Sequence, residues 1–185
     1  MTTMTATGGA TLISERMAKA LSGQVGSEFA ADIRYTLMGA YFEREGLPVL
    51  AGFCYKQADG ERRHGRRIAR YVTQAGGRLE IPIIEVQQAT FTSAEESVRM
   101  ALEHEVEVAG RFNQLTELAI QESDYLTKNF LEWFVNEQLE EVATLDELLK
   151  TIRRAGDNLL LVEDYLGRRG VLPAAAVAEG GAVQA

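Results

Sequence analysis

The sequence is poor in the residues that build several common kinds of site. It holds one cysteine, Cys54, two histidines, one tryptophan and three prolines in 185 residues. A lone thiol excludes an internal disulfide framework and any cysteine-built zinc or iron–sulfur centre. No apolar run approaches the roughly 18 residues that cross a bilayer. The opening stretch, MTTMTATGGATL, has neither a basic region nor an apolar core and does not read as a signal peptide. A cytoplasmic protein is expected, with no membrane partner. What the chain does have is a globular composition, 46% hydrophobic and 25% charged. A chain of this length buries roughly 70% of its unfolded surface and needs no staples. Lys and Arg number 19 against 27 Asp and Glu, so 19 − 27 = −8. An acidic balance disfavours nucleic-acid binding and suits cations.

Prolines fall only at 48, 82 and 173, which leaves long stretches free of helix breakers. Apolar residues recur in steps of four and three, the period of one face of a bundle helix. The first stripe reads Met17, Leu21, Gln24, Glu28, Ala31, Tyr35, Met38, Phe42. The second reads Leu50, Cys54, Gln57, Glu61, His64, Ile68, Tyr71. The third follows a capping box at Ser93–Glu96 and reads Val98, Ala101, Glu105, Val108, Phe112, Leu115, Ala119. The fourth reads Leu131, Phe134, Gln138, Glu141, Leu145, Leu148, Ile152. Gly46 with Pro48, Gly76 with Gly77, and Gly156 punctuate the helix ends. The expected helices span about 14–45, 48–76, 93–122 and 124–155, with a short apolar fifth at 157–169. Residues 1–12 and the Ala/Gly-rich 171–185 read as flexible ends around one domain, 13–170.

The connection Gly77–Thr92 is 16 residues long and has no helical pattern. A 30-residue third helix is about 45 Å long, and 16 extended residues reach at most about 55 Å. The connection is therefore long enough to run the length of the bundle, placing helices two and three parallel. The expected fold is all-α: a four-helix bundle with one long crossover connection between helices 2 and 3, plus a short fifth helix.

Each stripe is interrupted near its middle by polar groups: Glu28, then Glu61 and His64, then Glu105, then Gln138 and Glu141. Residues three apart point the same way, so Glu61 and His64 address one point, as do Gln138 and Glu141. A lone E-x-x-H arises often by chance, and a lone inward Glu is usually a misread face. Four carboxylates at comparable depth, with no Lys or Arg on their stripes, instead demand a cation. Their −4 matches two divalent ions. Oxygen ligands with one imidazole suit iron or manganese better than zinc. Tyr35, two turns beyond Glu28, either bonds a ligand or is plain core. His104 lies beside the third stripe and is expected at a surface or interface. Trp133 and Cys54 are expected to be packing residues.

The segments GSEFAADIRYTLMGAYFEREGLP, ERRH, LEHEVEV and FLEWFVNEQLEEV resemble those of bacterial non-haem ferritins, within the ferritin-like di-iron family. The resemblance runs from about Met17 to Gly170. It implies an iron store and ferroxidase that oxidises Fe(II) to Fe(III) with dioxygen or peroxide at an intra-subunit di-iron centre. It implies self-association into a 24-subunit shell around ferric mineral. Carried onto this chain, Glu28, Glu61 and His64 hold the first iron. Glu61 bridges, and Glu105 and Glu141 hold the second, with Gln138 and Tyr35 beside them. The short fifth helix matches the one that packs around the shell's fourfold axis.

The departures are informative. A haem-bearing bacterioferritin would have histidine where Glu141 stands and methionine where Arg62 stands, so no haem is expected. A third, cavity-side iron site would use Glu137, Glu140 and an acid just before Glu61. That last position is Gly60, which weakens the site. Arg62, Arg63, Arg66, Arg67 and Arg70 make the second helix basic; a solvated, salt-bridged face is the plainer expectation, although some should face the cavity. Two alternatives remain at this stage. One is an oxygenase or manganese enzyme with fixed metals, against which Gln138 stands in place of a second Glu-x-x-His. The other is a non-catalytic iron-binding shell subunit.

Overall fold

The computed structural model describes residues 10–85 and 90–169. These form five helices and, among the described residues, no strand: α1 Glu15–Arg44, α2 Pro48–Gln74, α3 Ala94–Gln121, α4 Tyr125–Ala155 and α5 Leu159–Arg169. The ends expected to be flexible lie outside the described residues, apart from residues 10–12. None of the five helices is long and apolar enough to cross a membrane.

Most helix starts are written locally. Ser14 Oγ accepts from Met17 N at 2.9 Å, Ser93 Oγ from Glu96 N at 3.1 Å, and Asp124 Oδ1 from Thr127 N at 2.9 Å. At α3 the return half of the capping box is displaced by one residue, because Glu96 Oε2 accepts from Thr92 N at 2.7 Å. The start of α2 differs. Pro48 opens it, and its N-cap Leu47 has no side-chain acceptor. The missing acceptor comes from α5: the Glu163 carboxylate takes both Val49 N and Leu50 N at 2.8 Å. A carboxylate at a helix N-terminus also meets the positive end of the helix dipole. α4 ends at Gly156, whose φ of 56° lies in the region that glycine tolerates best.

α1 packs on α2, α3 on α4, and α1 also touches α3. The α2–α3 connection leaves α2 beside the start of α1, where Gly77 lies against Ile13 and Ala18. It crosses the middle of α1 at Gly26, where a Cβ would come within 2.9 Å of Pro82. It finishes by the far end of α1, where Phe91 meets the Tyr41 ring edge-on at 5.7 Å. Its described parts thus lie along α1, and α2 and α3 point the same way, as the length argument expects.

Two apolar clusters fill the bundle. One holds Met38, Phe42, Leu50, Leu145 and the α5 residues Val162 and Leu166. The other holds Met17, Leu21, Val25, Ile68, Phe112, Leu131 and Phe134. Every long helix passes from one cluster to the other, and on each the interrupting polar residues fall at the crossing. α5 buries only part of its apolar surface, with Leu160 and Leu161 respectively 69% and 57% exposed.

Candidate metal centre

Between the clusters, Glu28 of α1, Glu61 and His64 of α2, Glu105 of α3, and Gln138 and Glu141 of α4 are all buried. Each sits on the inward face because its stripe continues unbroken into apolar core on both sides. The structure brings them together. Glu28, Glu61 and His64 offer ligand atoms within 4.8 Å of one another, as do Glu61, Glu105 and Glu141. Glu61 belongs to both groups. A third group of the same tightness joins His64, Glu137 and Glu141. Of the two residues expected at a cavity-side site, Glu137 is therefore buried beside the centre. Glu140 is exposed and belongs to none of these groups.

The hydrogen bonds show which atoms are committed and which are spare. His64 Nδ1 lies 3.5 Å from Glu28 Oε2 and 3.4 Å from Glu61 Oε2. Gln24 Nε2 donates to Glu28 Oε1 at 2.5 Å. Tyr35 Oη donates to Glu105 Oε1 at 2.7 Å, and Gln138 Nε2 donates to Glu105 Oε2 at 3.0 Å. Tyr35 and Gln138 thus orient Glu105. Four buried atoms facing this region have no hydrogen-bond partner: Glu61 Oε1, His64 Nε2, Glu137 Oε1 and Glu141 Oε2. Buried polar atoms are seldom left unpaired, and four spare donor atoms in one belt fit a bound cation.

The electrostatics agree. Burial pushes the Glu61 carboxyl well above the usual 4.5, and the Glu105 and Glu28 charges add to it. Burial does the same at Glu141, with Glu61 and Glu105 contributing. Burial also raises Glu105, although the Gln138 and Tyr35 hydrogen bonds pull it back. Tyr35 rises well above 10.0 through burial and the surrounding acids. Glu28 goes the other way: burial raises it, but the His64 hydrogen bond and charge more than offset this. Burial lowers His64, yet its bond to Glu28 and the charges of Glu141, Glu28 and Glu137 leave it above 6.5. Without metal, protons hold part of this belt together.

The His64 ring is fixed from the other side by aromatic edges. Trp133 and Phe134 meet it at 5.4 and 5.9 Å, nearly perpendicular. Cys54 is a buried free thiol whose pKa is raised by burial. His104 corrects the sequence reading: it is buried, not at a surface. It sits only one residue, about 100° of helix rotation, from the Glu105 stripe, on a flank covered where α1 meets α3. Arg111 Nη1 donates to Ser27 Oγ across that contact at 2.6 Å. Burial and the Arg34 and Arg111 charges lower His104 to about 4, so it is neutral at neutral pH. Gln24 and Gln57 are buried near the belt; both stand on the stripes, but nothing local marks them as polar partners rather than flank.

A four-helix bundle with three such overlapping carboxylate groups, two of them sharing the His64 imidazole, defines the class of bundle proteins that use inward carboxylates to hold metals. The comparisons with known proteins agree. The Ferritin family, described as a ferritin-like domain, matches residues 18–155. "Ferritin BfrB" of Mycolicibacterium smegmatis is 35% identical over 88% of this chain and 92% of its own length. "Bacterial non-heme ferritin" of Staphylococcus aureus strain MRSA252 is 35% identical over 85% of this chain and 97% of its own. Among solved structures, an open pore ferritin from Archaeoglobus fulgidus aligns with a TM-score of 0.81 at 32% identity, over 84% of this chain and 96% of that one. The chain belongs to the ferritin family.

Proposed function

We propose that the protein stores iron and oxidises it on the way in. Two Fe(II) ions per subunit are the substrate of the belt: one at Glu28, Glu61 and His64, the other at Glu61, Glu105 and Glu141. Glu61 bridges them because it alone belongs to both groups. Each iron gives up one electron. With dioxygen as acceptor the step is 2Fe²⁺ + O₂ + 2H⁺ → 2Fe³⁺ + H₂O₂; peroxide serves the same role as a two-electron acceptor. The observation that carries the reading is the set of four unpaired buried ligand atoms between two apolar clusters.

The chain's own residues determine how firmly each ion is held. His64 lies between the Glu28 and Glu61 carboxylates and the Trp133 and Phe134 ring edges, which aims Nδ1 at the first position. The second position has carboxylates only, positioned by the neutral donors Tyr35 and Gln138. It holds its ion less firmly, which suits a substrate that moves on. Glu137, beside His64 and Glu141, is a way out toward the extra site proposed with Glu140. Arg62, where a haem protein would have methionine, is engaged by both oxygens of Asp32 at 2.9 Å; haem is not part of the proposal. Subunits assemble into a 24-subunit shell, with Leu160 and Leu161 of α5 packing against neighbours. The protein works in the cytoplasm, where a buried free Cys54 stays reduced.

Glu61→Ala tests the core of this reading. It should abolish rapid Fe(II) oxidation, followed as oxygen uptake, while particle mass by light scattering stays that of wild type. Unchanged oxidation kinetics in an intact particle would end the assignment.

A further inference from the structure

The basic face of α2 has no part in the iron chemistry above. Arg63, Arg66, Arg67 and Arg70 follow steps of three, one and three, so they share one side of the helix. With Tyr71 and with Phe130 of α4 they line a shallow groove of about 490 Å³. Among the described residues no Asp or Glu lines it, in a chain whose net charge is −8. Arg62, on the neighbouring flank, lies outside the groove and is held by Asp32 and Asp59.

The groove is partly built. Tyr71 and Phe130 stack with centroids 3.9 Å apart and planes 10° from parallel. The Tyr71 hydroxyl is tied to Thr127 Oγ1 at 2.7 Å. Each ring thus covers one face of the other. What the groove offers is guanidinium N–H. Arg67 is held in place, its Cζ 3.9 Å from the centre of the Trp133 ring. Trp133 is the ring that meets His64 edge-on. One end of the groove therefore abuts the metal centre, next to Glu137, whose carboxyl feels the charges of Arg67 and Arg63.

We propose that this groove binds inorganic phosphate and presents it to ferric iron leaving the centre. Guanidinium forks match the oxygens of a tetrahedral oxyanion, and several of them share its charge. A stacked guanidinium is already oriented and partly dehydrated. The chemistry needs no further oxidant: Fe³⁺ + HPO₄²⁻ → FePO₄ + H⁺. The mineral would then start as ferric phosphate beside the exit. This hand-over rests on the ferroxidase reading; the binding of phosphate does not.

The test uses the assembled protein. Iron-free wild type is titrated with inorganic phosphate by calorimetry at constant ionic strength, beside R66Q/R70Q and R66K/R70K. Arg67 is left alone because it packs on Trp133. Wild type should bind saturably, near one phosphate per subunit, with sulfate competing and nitrate not. The Gln pair should bind at least about tenfold more weakly, and the Lys pair, with charge but no fork, should fall between. No saturable binding, equal binding in the Gln pair, or equal displacement by nitrate would overturn the site. Each protein is then loaded aerobically with Fe(II) and phosphate. The phosphorus-to-iron ratio of the mineral should fall at least twofold in the Gln pair, while initial oxidation without phosphate stays unchanged. An unchanged ratio overturns the hand-over. Phosphate binding without any iron oxidation in wild type overturns the ferroxidase reading and leaves the groove standing.

Discussion

The two halves of the buried belt share Glu61 and differ in almost everything else. In the first, His64 faces Glu28 and Glu61, and the pair keeps Glu28 ionised. In the second, Glu61, Glu105 and Glu141 face one another, the neutral donors Tyr35 and Gln138 hold Glu105, and His64 lies near Glu141 without offsetting the repulsion. In the first half the acids around His64 draw it toward its charged form. The second is held by protons until a metal displaces them. The difference teaches that burial alone does not fix how a carboxylate behaves. The sign of its nearest buried neighbour decides, because a low-dielectric interior amplifies both attraction and repulsion.

Beyond Glu61→Ala, which disables both halves, the largest expected effect separates them. His64→Ala should weaken Co(II), a redox-silent probe, at the first position by more than about 100-fold, beyond the loss typical of an outer partner. Glu141→Ala should instead leave one tight site per subunit. Calorimetric titration of both variants checks this. Equal losses in the two would erase the distinction between the halves.

The next effect is on stability and its pH dependence. Glu61, Glu105 and Glu141 have folded-state pKa values above 4.5, so the folded form holds protons that the unfolded form releases. Their contribution is complete below 4.5 and is lost as pH rises through the raised values. His64, raised above 6.5, acts in the same direction. Glu28, lowered from 4.5, acts oppositely, its contribution being lost as pH falls through its lowered value. Belt stabilisation in the metal-free protein should therefore decline from about pH 5 toward pH 8. A divalent ion takes the place of these protons. The rise in Tm on adding Fe(II) without oxygen should be larger at pH 8 than at pH 6, read by differential scanning calorimetry. A rise that shrinks with pH would contradict the protonation assigned to the second half.

The smallest effect sharpens the role of the neutral donors. Tyr35→Phe removes the hydroxyl from Glu105 Oε1 and should cost about 1–3 kcal/mol of metal-free stability, the usual penalty for a stranded buried acceptor. Oxidation should slow only a few-fold, because Gln138 still holds the other oxygen. Chemical denaturation and stopped-flow oxidation measure the two.

Much of this was legible in the sequence because bundle helices obey a simple period. Glu28, Glu61, His64, Glu105, Gln138 and Glu141 interrupt the stripes at one depth, and the long connection has the length a crossover needs. Residues just off a stripe were harder. His104 and Glu137 each stand about 100° from a marked position, and only the packing of neighbouring helices decides that they are buried. The family resemblance grouped Glu137 with Glu140, yet Glu137 turns inward beside His64 while Glu140 is exposed. The basic run read as a solvated face, and Arg63, Arg66, Arg67 and Arg70 are indeed exposed; what the sequence did not show is that Arg67 stacks on Trp133. A stack between different helices leaves no periodic trace.

The clasp that α5 places on α2 carries a consequence for biogenesis. Val49 N is satisfied by a carboxylate 114 residues downstream. During synthesis, the rod bearing Glu61 and His64 emerges with its first turn open and stays so until nearly the whole chain has left the ribosome. A product truncated after Gly156 would keep every iron ligand and still lack the latch on the rod that carries two of them.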